Sequence, residues 1–199
     1  MMLLKTPGYQ LNEYKLVIPL SESLEHKIYA LRKEFGDKYA YKADSGRPHL
    51  TLVMFSQLSM MEERIIQKLG TIAMGEAPFR MEMKDFGSFP SHTIFVNVST
   101  KEPIKKLMRS VKDIQRLLRI DIDHKAHFLS DPIISIGRRL KPWQYEKGWL
   151  EFSHRQFTGR CIADAMLLLK RAEGTIPWQI AARLELQNLP VNAKQQELF

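Results

Sequence analysis

Cysteine is nearly absent: Cys161 is the one thiol among 199 residues. No intrachain disulfide can form, and a cysteine-rich zinc site is excluded. Such usage fits a reducing cytoplasm. Long apolar runs are missing as well. No stretch approaches the roughly 20 residues that a membrane span needs. Met1-Met2-Leu3-Leu4 is cut short by Lys5 and does not read as a secretion signal. There is no glycine-rich phosphate loop and no adenylation lysine motif, so nucleotide-activated joining is not expected. Acidic residues are outnumbered, 22 against 30 basic ones, for a net charge of +8. That sign favours anionic partners such as nucleic acid, nucleotides or phosphate esters. A soluble protein that is merely basic is the plainer alternative. With 44% hydrophobic and 26% charged residues the composition is globular, which excludes disorder as the dominant state.

Periodicity then lays out the elements. Tyr14 to Leu20 reads as a first strand, with Pro19 at its end. Ser21 or Ser23 is placed to cap a helix carrying Leu24, Ile28, Leu31 and Phe35 on one face, and Gly36 to stop it. After the turn cluster Asp44-Ser45-Gly46, residues Arg47 to Met54 form a short apolar strand. Ser59-Met60-Met61-Glu62 fits a capping box before a second helix with Met61, Ile65, Leu69 and Ile72 inward. Phe79 to Phe86 alternates, Gly87 to Ser91 turns, and Thr93 to Val98 returns, which is a hairpin.

A third helix opens at Thr100 or Pro103 and runs inward-facing apolar residues from Ile104 to Leu118. Between 101 and 119 it carries seven basic residues against Glu102 and Asp113. A solvated basic face is the ordinary explanation, and an RNA contact the sharper one. Strands are expected at Asp131 to Ile136, Ile162 to Leu169 and Trp178 to Leu186. The stretch Arg138 to Arg160, rich in aromatics but without a clean period, is expected to be a long loop with some helix. Strands and helices without a steady βαβ rhythm argue for an α+β fold.

His49-Leu50-Thr51 is the motif with chemistry in it. Residues i and i+2 of a strand share a face, so His49 and Thr51 stand together while Leu50 and Leu52 pack behind. An imidazole can move a proton near neutral pH, and a hydroxyl can donate to a phosphate oxygen. Alone the motif is weak. It is echoed, however: Arg47-Pro48-His49-Leu50-Thr51-Leu52 returns downstream as Asp131-Pro132-Ile133-Ile134-Ser135-Ile136. Proline, any residue, apolar, hydroxyl, apolar is the shared pattern, as a diverged internal duplication would leave it.

With these two segments, the hairpin ending in Thr93 to Val98 and the order of elements over nearly the whole chain, the sequence resembles the 2H phosphoesterase superfamily, which includes the RNA 2′,3′-cyclic phosphodiesterases also called 2′-5′ RNA ligases. The resemblance implies two pseudo-symmetric lobes around a central cleft, each a small antiparallel sheet with flanking helices. Residues 1–190 would form this single two-lobed domain, with 191–199 as a tail. It implies metal-free, cofactor-free chemistry on RNA ends or nucleotide phosphates. By position, His49 takes an acid/base role, while Thr51, Ser135 and Arg138 hold the phosphate. Ile133 departs from the pattern, because it stands where the family has its second histidine. The chain is then a weakened enzyme, an enzyme that has recruited another histidine, or a module that only binds.

Other histidines are candidates for that role. His127 shares strand parity with Ile133 but lies six residues upstream, on the order of 20 Å in extended chain. His124 is further away. His92 and His154 sit in a turn and in the aromatic segment. For all four an ordinary surface or packing role is the better expectation. His124 and His127 with Asp121, Asp123 or Asp131 give a poor metal pattern, because the stretch reads as loop. Trp143, Tyr145 and Trp149 are read as an apolar lid before a base-stacking platform, and Phe86, Phe89 and Phe95 as core. Cys161 is read as a buried structural thiol despite its neighbour Arg160. Protein partners are left open by the sequence, and a relict site on a fold that serves protein contacts is a third reading.

Overall fold

In the computed structural model, residues 8–43, 46–121, 125–172 and 177–190 are described. The tail expected at 191–199 lies outside them, as do Asp44, Ser45, Asp123 and His124. Strand β1 spans Leu11–Pro19 and leads into helix α1, Glu22–Lys38. Strand β2, His49–Leu58, is followed by a 3-10 turn at Ser59–Met61 and helix α2, Glu62–Gly75. Strands β3, Phe79–Phe89, and β4, Thr93–Val98, make the expected hairpin. Helix α3, Glu102–Lys112, precedes the short strand β5, His127–Phe128, and β6, Ile133–Arg138. Helix α4, Pro142–Phe152, and strands β7, Thr158–Ala163, β8, Ala165–Ala172, and β9, Gln179–Glu185, complete the order.

The strands form two antiparallel sheets. Sheet A is ordered β5-β2-β1-β8-β9 and sheet B β6-β4-β3-β7. Helix α2 packs on β8 and β9 of sheet A and on α3; α1 and α4 pack on sheet B. The fold is thus α+β with two lobes, as the resemblance implies. Helix α1 leaves sheet A and covers sheet B, which ties the lobes together. Its buried side chains are Leu24, Ile28, Arg32 and Phe35. Phe35 meets Phe152 of α4 edge-on at 5.5 Å, and Phe152 meets Phe86 of β3 at 5.0 Å.

Several boundaries differ from the sequence expectation. Gly36 does not stop α1. The helix runs to Lys38, and Ala40 takes the left-handed conformation at φ 46°. Gly36 serves close approach instead, since a Cβ there would lie 2.8 Å from the Tyr41 carbonyl. The capping box at Ser59 does not form. The Glu62 carboxylate accepts from the Tyr14 hydroxyl at 2.9 Å and from Lys170 at 2.6 Å. Helix α3 ends at Lys112 and not at 119. Beyond it, the buried Gln57 amide of β2 donates to the Leu117 and Arg119 carbonyls, both at 3.0 Å, and draws the chain off the helix axis. The segment expected as a long loop holds α4, whose exposed Trp143 and Leu150 blur its apolar period. The single strand expected over 162–169 is two strands: the chain passes from sheet B to sheet A at Asp164.

Candidate functional site

The two echoed segments open β2 and β6 and are in contact with each other. Their burial is the same residue by residue. Pro48, Leu50 and Leu52 are buried with His49 and Thr51 half-buried between them; Pro132, Ile134 and Ile136 are buried with Ile133 and Ser135 half-buried between them. Pairing repeats too. On β1, Pro19 faces His49, Val17 faces Thr51 and Leu16 faces Val53, so Leu52 is bulged out of the ladder. On β4, Asn97 faces Ile133, Phe95 faces Ser135 and Ile94 faces Gly137, so Ile136 is bulged out. Both irregularities fall one residue after the hydroxyl.

A bulge resets which residues share a face. Arg138 lies an odd number of positions from Ser135, which in a regular strand would send it to the other side. With Ile136 bulged it pairs with Thr93 and rejoins the face of Ile133 and Ser135. The same reset in sheet A puts Met54 on the face of His49 and Thr51, opposite Lys15 of β1 and His127 of β5. The four residues singled out by sequence therefore lie on the two sheet faces that adjoin, and Ile133 holds in sheet B the place of His49 in sheet A.

His49 Nδ1 lies 2.7 Å from the Arg47 carbonyl. A carbonyl only accepts, so Nδ1 is assigned the proton and Nε2 the basic lone pair. The ring is oriented by its own backbone two residues back. Across the cleft, Ile133 has the Asn97 amide beside it in the ladder. Neither side chain can act as a general acid or base.

Arg32 binds the two segments together. It is 5% exposed. Its Nε donates to the Ser135 carbonyl at 3.0 Å and one terminal nitrogen donates to the Gly46 carbonyl at 3.1 Å. One planar guanidinium thus links the chain just before the first motif to the hydroxyl residue of the second. Tyr41 brackets Arg138 in a similar way, donating to its carbonyl at 3.1 Å and accepting from its N–H at 3.0 Å. Sequence reasoning missed Arg32 and Tyr41. The available signal was Arg32 four residues after Ile28, on an otherwise apolar stripe where a charge needs a reason to be buried.

The remaining candidates are dispersed. His127 is exposed on the edge of sheet A and not beside Ile133, because the chain changes sheets between them. His92 sits at the β3–β4 turn, where Nδ1 and the Thr93 hydroxyl are 2.6 Å apart. His154 contacts the Leu150 carbonyl at 2.8 Å at the end of α4, on the helical side of sheet B. Phe86 and Phe95 are buried as expected, while Phe89 is only half-buried and lies 4.8 Å from Phe95 on the same face of the hairpin. Cys161 is buried, and that burial pushes its thiol above the ordinary range, as a structural thiol should behave. Among the described residues no group of three His, Cys, Asp or Glu side chains is arranged to hold a metal. No described helix is long and apolar enough to cross a membrane.

Comparison with known proteins agrees with this geometry. Residues 20–175 match the family model of the 2′-5′ RNA ligase superfamily. No curated protein is matched. Among solved structures, Escherichia coli LigT complexed with 3′-AMP is similar at 15% identity and a TM-score of 0.65, covering 89% of this chain and 98% of that one. TT0787 of Thermus thermophilus is similar at 18% identity and a TM-score of 0.66, covering 88% and 98%. The LigT complex with NADP+ is similar at 17% identity and a TM-score of 0.61, covering 89% and 99%. The family match covers most of the chain, and the bilobal α+β fold is the one these structures share: the chain belongs to the 2′-5′ RNA ligase superfamily.

Proposed function

We propose that the chain is a metal-independent cyclic phosphodiesterase that opens 2′,3′-cyclic phosphates at RNA ends or on small nucleotides. The observation that carries the reading is the matched, bulged register of the two motif strands. In this reading Thr51, Ser135 and Arg138, which lie on adjoining faces, serve as donors for the non-bridging oxygens of one phosphate. Water adds to phosphorus, one ring P–O bond breaks, and a 2′- or 3′-monoester is left. Two protons must move, one from the water and one to the leaving oxygen. His49, held by the Arg47 carbonyl, carries one of them. With Ile133 opposite, the other falls to solvent, which makes a slow enzyme. Relatives of this fold are recorded with 3′-AMP and NADP+ bound, in keeping with a phosphate-bearing nucleotide as ligand.

The pairing of Ile133 with Asn97 favours a second reading, in which the cleft holds RNA ends or nucleotides without cutting them. Hydrolysis of 2′,3′-cyclic AMP and of a hexaribonucleotide ending in a cyclic phosphate separates the two. The enzyme reading expects turnover that falls about 10²–10⁴-fold in His49→Ala, with 3′-AMP binding largely kept. Equal rates in the two proteins contradict it. Saturable 3′-AMP binding without turnover in either leaves the binding module.

A further inference from the structure

A second basic site lies at the far edge of sheet A. A pocket of about 380 Å³ there is lined by Gln115, Arg116, Arg119, Lys125, Ala126 and Phe128. It is built firmly. Gln57 anchors the turn that carries Arg116 and Arg119 through the Leu117 and Arg119 carbonyls. β5 fixes Phe128 opposite Val53, and Lys112 stands over the Phe128 ring at 5.5 Å. The basic side of α3 is not uniform along its length. Near its start, Lys105 pairs with Glu102 and Lys106 with Glu76. At the pocket, Arg116, Arg119 and Lys125 are exposed and take part in no ion pair among the described residues. Three unneutralised cations converging beside an aromatic ring and an amide are the chemistry that takes a phosphodiester backbone.

The pocket also lies on a path from the cleft. From Thr51, two residue pairs along β2 lead to Met54, and one strand across stands His127 on the β5 edge, roughly 7 Å along the sheet and about 5 Å across it. Phe128, opposite Val53, points to the reverse face, so a chain leaving the cleft enters the pocket by turning round the β5 edge. We infer that this pocket holds the backbone of a single-stranded RNA whose terminal phosphate occupies the motif cleft, so that the natural ligand is an oligoribonucleotide gripped at two places. The inference rests on the reading of the cleft as a site for RNA ends. It does not need turnover.

The test compares binding of 3′-AMP and a 3′-phosphorylated hexaribonucleotide to wild type and to Arg116→Ala/Arg119→Ala/Lys125→Ala. Salt is varied from 50 to 200 mM. Each single-strand phosphate contact contributes about 0.7 to the slope of log affinity against log salt, so three lost contacts lower it by about 2. Over that salt range wild type then loses roughly 15–20-fold more hexamer affinity than the variant. The loss on 3′-AMP is much smaller than the loss on the hexamer. Arg116→Lys/Arg119→Lys keeps the slope, and thermal melting checks that all variants fold. A slope unchanged in the triple alanine variant, or a wild type that binds the hexamer no more tightly than 3′-AMP, overturns the inference. Hexamer binding with the expected slopes, beside no hydrolysis of the hexamer ending in a 2′,3′-cyclic phosphate, overturns the enzyme reading and leaves this one standing.

Discussion

At the scale of single residues, Arg32 carries more of the site than its position on a helix suggests. Removing it takes the charged donor from the carbonyl of half-buried Ser135 and from that of exposed Gly46, which water can reach. Arg32→Ala is therefore expected to cost about 1–3 kcal/mol, read by urea unfolding, and to weaken 3′-AMP binding as the motif strands loosen. Arg32→Lys restores only part, because an ammonium lacks the planar fork that reaches both carbonyls. A loss below about 0.5 kcal/mol, the range of ordinary surface changes, would show that the two segments hold together without it. Gly87 makes a second case. A Cβ there would lie 2.5 Å from the Phe95 ring and 2.7 Å from the Asn97 amide oxygen. Gly87→Ala forces both aside, at about 1–3 kcal/mol. Since Phe95 and Asn97 face Ser135 and Ile133, phosphate affinity falls with stability. Full stability and affinity in that variant would mean the cleft face tolerates the shift.

At the scale of elements, α1 and α4 are joined at their exposed ends by a charged cluster. Glu151 accepts from Lys38 and from the Tyr39 hydroxyl, both at 2.5 Å, and Arg155 lies between Glu34 and Glu151. The bonds from Lys38 and Tyr39 hold the Glu151 carboxyl below its usual range. Burial first, and then the Glu151 carboxylate, push the Tyr39 hydroxyl up to about 12. A carboxyl depressed in the folded state stabilises above its unfolded value of 4.5 and loses that contribution as pH falls through its folded value. Glu151→Gln should thus lower the melting temperature at pH 7 and converge on wild type well below about pH 4. The effect is small because the group is partly exposed. A constant gap across that range would place the effect in packing. Elements also mark where the sequence was legible. β4 begins and ends where its pattern predicts, because its short run of β-branched and aromatic residues is bounded by turn residues at both ends. The Arg138 to Arg160 segment hid α4, because Leu150, 70% exposed, sits where an apolar stripe is read. The strand break at Asp164 was invisible because apolar residues on either side belong to different sheets.

At the scale of the whole molecule, one arrangement occurs twice: β1–α1–β2, its strands paired in sheet A, and β4–α3–β6 with β5 inserted, its strands β4 and β6 paired in sheet B, the motif opening the last strand of each. The echo of Pro48-His49-Leu50-Thr51 in Pro132-Ile133-Ile134-Ser135 makes this symmetry legible in the sequence. The bulges at Leu52 and Ile136 did not show, since a bulge looks in sequence like two consecutive core residues. Nor did the Arg32 clamp, which depends on α1 crossing to the opposite sheet. The matched register makes Ile133 the counterpart of His49 at the proposed phosphate site. This correspondence is tested most directly by the rate of 2′,3′-cyclic AMP hydrolysis in Ile133→His beside wild type. The symmetric register predicts a gain of about 10²–10⁴-fold, the usual worth of one positioned acid/base group, and loss of that gain when His49→Ala is added. A correctly folded Ile133→His protein that binds 3′-AMP like wild type and hydrolyses no faster would contradict it.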